Sequence, residues 1–130
     1  MTDMQPYERL AALPIGHNPT GPEDAYTWSA LWCYDESNAA PTPAAITEVT
    51  HLWSESYEGY ADVNVALLAR LESGAWAACV AWCDTSGWDC QSGVDWKVSA
   101  DRDWVIRMGL DKEARARLGL PLPDEQQSPA

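Results

Sequence analysis

The chain has 130 residues and 14.3 kDa, enough for one domain, and its 46% hydrophobic content suffices to bury a core, which excludes wholesale disorder. Twenty acidic residues against eight basic ones give a formal charge of -12, the opposite of a nucleic-acid-binding footprint, so no direct nucleic acid binding is expected. No apolar run approaches a membrane span and the N-terminus lacks a signal-like pattern, so a soluble, unexported protein without membrane contact is expected.

Residues 1 to 41 read as a Pro-rich, aromatic segment packed on or beside the domain. They hold turn chemistry around Asn18, Pro19, Thr20, Gly21 and Pro22, with room for one short helix near Pro6 to Leu13. Residues 25–34 fit two patterns. Tyr26, Trp28, Ala30, Trp32 and Tyr34 alternate as on a strand, whereas Pro22, Glu23 and Asp24 would open a helix with Trp28, Leu31 and Trp32 inward. From Thr42 the spacing predicts a four-turn helix: Thr42 as N-cap, Pro43 at the first position, Ile46, Val49, Leu52, Trp53 and Tyr57 on one face, and Gly59 as the stop.

The region 42–120 is expected to be an α+β domain built on a three-stranded antiparallel meander with flanking helices. Val63 to Leu71 and Trp76 to Trp82 alternate around a Ser73-Gly74 turn, which predicts a hairpin, and Val94, Trp96 and Val98 predict a third strand. Val63, Val65, Leu67, Trp76, Trp82 and Trp96 are assigned to one face, under the Thr42 helix and a Trp104 helix. Ala75, Ala77, Cys79, Ala81 and Cys83 form an opposite, small-residue face that invites close approach, by the N-terminal third or by a second copy in a homo-oligomer. Asp101 caps a predicted helix carrying Trp104, Val105 and Met108 and ending at Gly109. Asp111 caps another that ends at Gly119, and residues 121–130 read as a flexible tail.

Charge is uneven, net -9 over residues 1–69 and -3 over 70–130. Eight Trp and five Tyr with no Phe mean that each aromatic ring carries a polar group needing a partner when buried, and such rings also anchor binding surfaces. Reactive and turn-forming residues concentrate in Cys83-Asp84-Thr85-Ser86-Gly87-Trp88-Asp89-Cys90-Gln91. Cys83 and Cys90 are too far apart in sequence for a redox C-x-x-C or the usual zinc spacing, but direct pairing of the second and third predicted strands would bring them together as a cross-loop thiol pair or a disulfide, which a cytoplasm keeps reduced. Cys79 lies about 13 Å from Cys83 along a strand, so these thiols, with Cys33, His17 and His51 elsewhere, read as buried small side chains before they read as a metal site. Asp84, Asp89 and Asp95 lack the spacing of a calcium loop and suit turn capping. No G-x-S-x-G, paired histidine or phosphate-cradling glycine loop is present, so neither a catalytic residue nor a cofactor is assigned.

The C-D-x-[ST]-G-W-D-C-Q segment, followed by an acid-capped helix ending in Gly109-Leu110 and by the Glu113 to Leu120 stretch, resembles a family of small uncharacterised proteins of actinobacteria and their phages. The resemblance covers roughly residues 58 to 120. An aromatic residue often stands there in place of Thr85, so a role for that ring does not carry over. The resemblance implies a phage or prophage origin and an antiparallel sheet with flanking helices, and nothing catalytic.

The expectation is a non-enzymatic, phage-encoded acidic protein that binds and modulates a host protein, in one form by presenting carboxylates where nucleic acid would bind. Trp88, Asp84, Asp89, Gln91, Trp28 and Trp32 are the candidate partner-binding residues. The competing readings are a virion or assembly component, a small metal- or thiol-dependent enzyme, and a ligand-binding module using exposed Trp rings. The host cytoplasm or the virion is the expected location.

Overall fold

The computed structural model describes residues 5–13, 28–29, 31–32, 35, 37–56, 63–84 and 91–122, with the backbone alone at 5, 6, 55, 56, 63, 64, 82–84, 91 and 92. A short helix α1 (Gln5–Ala11) precedes four strands, β1 (Ile46–Ser56), β2 (Val63–Leu71), β3 (Trp76–Asp84) and β4 (Gln91–Ser99). Helices α2 (Arg102–Gly109) and α3 (Lys112–Leu118) follow. The strands form one antiparallel sheet in the order β1-β2-β3-β4. The class is α+β as expected, with four strands in the meander where three were predicted.

The added strand replaces the helix expected from Thr42 to Tyr57. Thr42 makes no side-chain cap bond, Pro43–Ala45 form one 3-10 turn, and the chain then extends into β1. The misleading signal has a geometric cause. Register shifts at Thr47 and Thr50 each insert an extra residue, so that Ile46, Val49 and Leu52 pair with Leu71, Ala69 and Leu67 on one face of the sheet. Two bulges turn a period of two into a spacing of three, which imitates a helix. The inserted threonines also satisfy the opposing backbone: Thr47 Oγ1 donates to the Arg70 carbonyl at 3.2 Å and Thr50 Oγ1 to the Leu68 carbonyl at 3.0 Å.

The β2–β3 hairpin matches its prediction. Leu71 N donates to Ala75 O at 2.9 Å, and Gly74 occupies a positive φ of 91° that favours glycine in the turn. Register decides the faces. Leu67 pairs with Cys79 and Cys79 with Trp96, so the large residues of β2 and β4 share a face with the small residues of β3. That face, with Val49, Leu52, Val65, Leu67, Ala77, Cys79, Val94 and Trp96, is covered by Leu10, Trp28 and Leu31. Residues of the N-terminal third therefore lie on the small side chains of β3, and the helical alternative for 25–34 holds at Trp28, Ser29, Leu31 and Trp32.

Trp76 does not belong with Val65, Leu67 and Trp96 as expected, because it stands opposite Arg70 and packs on the other face. The side chain of Trp82 lies outside the described residues. On this second face Ala66, Leu68 and Ala78 meet Val105, Ile106, Leu110, Ala114 and Leu118. Both predicted caps form: Asp101 accepts from Trp104 N at 3.2 Å and Asp111 from Ala114 N at 2.8 Å, and Gly119 ends α3 at φ 73°. A cap is worth about 1 kcal/mol, and each buried Leu, Ile or Val about 1.5–3 kcal/mol, so packing rather than capping decides which face of α2 turns inward. That face is Val105, Ile106 and Gly109; of the three apolar residues named for this helix from the sequence, Val105 is buried and Trp104 and Met108 are exposed. The reason is proximity. A Cβ at Gly109 would sit 2.8 Å from the Ala78 Cβ and 3.1 Å from the Lys97 Cβ, so the helix lies too close to the sheet to seat an indole beneath it.

The two sheet edges are managed differently. Asp35 bridges Val94 in parallel and Ser37 Oγ accepts from Trp96 N at 3.1 Å, which covers part of β4, while the bulges interrupt β1. Replacing Gly109 by Ala should force α2 away from Ala78 and lower stability by about 1–3 kcal/mol. Chemical denaturation measures this, and an unchanged midpoint would contradict the close contact.

Candidate functional site

Of the six candidate partner-binding residues, the four that the structure describes separate into two places. Asp84 and Gln91 are Cα partners in the last rung of the β3–β4 ladder, and Ser56 and Val63 close the β1–β2 ladder at the same end of the sheet. Trp88 and Asp89 lie outside the described residues, as do Cys90, Cys33 and His17. The cross-strand partner of Cys83 is Ser92.

Trp28 and Trp32 lie elsewhere. Trp96, which Trp32 contacts, is five residues from Gln91 along β4, roughly 17 Å at the rise of a strand. Trp28 is completely enclosed, which makes it a core residue rather than a surface available to a partner. Trp32 is half-buried, its ring centroid 5.0 Å from Trp96 and 5.4 Å from Tyr7. The polar atoms of these rings are mostly used within the fold. Trp32 Nε1 donates to Pro41 O at 2.7 Å and Trp96 Nε1 to Leu31 O at 2.9 Å, whereas the buried Trp28 Nε1 has no hydrogen-bond partner among the described residues. The pair thus ties the N-terminal residues to β4.

Cationic side chains form a pattern that the sequence reading did not find. Arg70 and Arg102 both lie over the Trp76 ring, at 5.6 and 5.0 Å from its centroid, and Arg117 lies 4.3 Å over Trp53. Arg117 also meets Glu113 at 3.2 Å, and Lys97 meets Asp95 at 3.0 Å. Arg115 is buried and donates to the Leu110 carbonyl, joining α3 to the end of α2. Arg9 Nη2 donates to the Pro43 and Ile46 carbonyls at 2.8 and 2.7 Å, which fixes α1 beside the start of β1. Six of the eight bases are thereby engaged inside the fold. The only sequence signal was the crowding of seven bases into residues 70–130, because the Arg–Trp partners are brought together by the register and by the helix positions.

Among the described residues no three His, Cys, Asp or Glu side chains are grouped to hold a metal ion. His51 Nδ1 lies 2.9 Å from Thr50 Oγ1. Cys79 is a free thiol sealed in the sheet core, and burial pushes its pKa well above the ordinary thiol range, with the negative charges of Asp35 and Asp95 adding to the effect. It is therefore a packing group and not a nucleophile at neutral pH.

Among the described residues no helix is long and apolar enough to cross a membrane. No protein-family model matches the chain, and comparisons with curated proteins and with solved structures find no significant match.

The Cys79 thiol supplies a pH prediction. Its pKa is higher folded than unfolded, so its contribution is complete below the unfolded value of about 8.5 and is lost as pH rises from there toward the folded value. Urea unfolding between neutral and alkaline pH should show stability falling by up to about 1.4 kcal/mol per pH unit from this group. Cys79→Ala should remove that slope; parallel pH profiles for the two proteins would show that the thiol ionises equally in both states.

Proposed function

We propose that this chain is a non-enzymatic, phage-encoded acidic protein that binds a basic face of a host protein and modulates it. The observation that carries the reading is the distribution of charge. The formal charge is -12 with all eight cations counted, and six of these are held at fixed places by rings, carbonyls or carboxylates of the same chain. A surplus of this kind attracts a cationic partner at long range and repels nucleic acid.

The topology adds a place where part of that surplus could act. β1 joins β2, and β3 joins β4, at one end of the sheet, with Glu55 and Asp84 in the adjoining strand ends. The joining sequences 57–62 and 85–90 contain Glu58, Asp62, Trp88 and Asp89 and no Lys or Arg. In this reading Asp84, Asp89, Gln91 and Trp88 contact the partner, while Trp28 and Trp32 support the domain from within. The resemblance of the Cys83 to Gln91 segment to actinobacterial and phage proteins supports the proposed origin and the choice of host.

The test is affinity capture from an actinobacterial lysate with tagged protein at low and high salt, beside Asp84→Asn/Asp89→Asn and Trp88→Ala variants. The expected result is one stoichiometric protein at low salt that is lost at high salt and weakened in both variants, because exposed charges separated by more than about 10 Å are screened at 0.1 M. A polyanion such as heparin should compete for the same partner. Capture that is indifferent to salt and to the carboxylates, or no capture in either condition, would overturn the reading.

A further inference from the structure

Helix α2 stands on the sheet through Val105, Ile106 and Gly109, and turns Asp103, Trp104, Arg107 and Met108 away from it. At about 100° per residue these four make two adjacent columns on the outer face, Asp103 above Arg107 and Trp104 above Met108. Trp104 is 41% exposed and Met108 57%, and they are the two most exposed large apolar side chains among the described residues. The sheet face of small residues, the expected route to a homo-oligomer, is already covered by Leu10, Trp28 and Leu31. Among the described residues, the outer face of α2 thus carries two of the three exposed large apolar side chains, Val98 being the third.

We propose that this face is the contact between two copies of the chain, related by a two-fold axis that sets their α2 helices antiparallel. The charge pattern selects a second copy as the occupant. Under that symmetry each column faces itself reversed, so Asp103 of one copy meets Arg107 of the other, and Trp104 of one meets Met108 of the other. A parallel two-fold pairing would instead set Asp103 against the other copy's Trp104 and Arg107 against its Met108, leaving neither charge opposite its complement. The midpoints of the two columns fall at positions 105 and 106, about 1.5 Å apart along the helix, so one axis serves both. The indole–thioether contact is favourable and adaptable, and antiparallel helix dipoles attract.

This contact is independent of the acidic binding reading and has the opposite salt dependence. Two copies at -12 each repel, and salt screens that repulsion while leaving the apolar contact in place. Sedimentation equilibrium of the full chain should show a monomer–dimer equilibrium between 14.3 kDa and twice that mass, shifting toward dimer as salt rises. Trp104→Ala with Met108→Ala should abolish the dimer. Asp103→Arg or Arg107→Asp alone should weaken it about tenfold, and the two together should restore it, because the exchanged pair is again self-complementary. All of these positions are exposed, so far-UV circular dichroism and the thermal midpoint should remain close to wild type, and the charge pair carries the test should the apolar variant unfold. A monomer at every salt concentration, a dimer indifferent to these substitutions, or a double charge variant no tighter than the singles would overturn the proposal.

Discussion

A sheet buried on both faces must have two apolar sides, and a narrow middle strand lets both covering layers come close. β3 supplies Ala77, Cys79 and Ala81 to one side and Ala78 to the other, all buried. On the first side the small residues leave depth for Trp96 and Trp28, the two largest fully buried side chains. On the second they allow α2 to approach until Gly109 touches Ala78. The outward turn of Trp104 and Met108 follows from that approach, as does the placement of the N-terminal residues on the opposite side. Replacing one β3 alanine by a large residue would strain packing at close-packed density, where an added methylene is already felt.

The absence of Phe makes hydrogen bonding a second condition on the same core. Each buried indole brings an N–H that costs about 1–3 kcal/mol if left unpaired. Trp96 and Trp32 meet that condition on the carbonyls of Leu31 and Pro41; the first bond ties Leu31 to β4 and the second joins Trp32 to Pro41. The half-buried rings of Trp53 and Trp76 instead receive guanidinium groups on their faces. Structural use of the aromatics and of the cations is thus one arrangement: Arg70 and Arg102 cover Trp76, and Arg117 covers Trp53 while also meeting Glu113. Exposed ion pairs such as Arg117–Glu113 add little to stability, so the arrangement matters more for the charge the molecule presents than for its folding energy.

Several elements could be read from local patterns because local chemistry alone decides them. Asp101, Asp111 and Gly119 mark helix ends through bonds spanning a few residues, and Ser73-Gly74 marks a turn through backbone freedom at one position. β1 could not be read this way. Its bulges exist only relative to β2, and the spacing of Ile46, Val49 and Leu52 is the same on a bulged strand as on a helix. The candidate site divided for a similar reason. Trp28, Trp32 and Trp88 are alike as residue types, but Trp28 is enclosed by the sheet and Trp32 is half-buried against Trp96.

The sequence by itself determined the acidic charge, the helix caps, the hairpin and the antiparallel connection of the strands it recognised, since each depends on composition or on neighbours along the chain. Only the tertiary structure decided that residues 46–56 are a strand, that Trp76 and Trp96 lie on opposite faces, that Trp104 and Met108 point outward and that most of the cations are held internally. These follow from cross-strand register and from the distance between layers. Both are set by contacts between residues far apart in the chain, which hydrophobic periodicity within one segment does not encode.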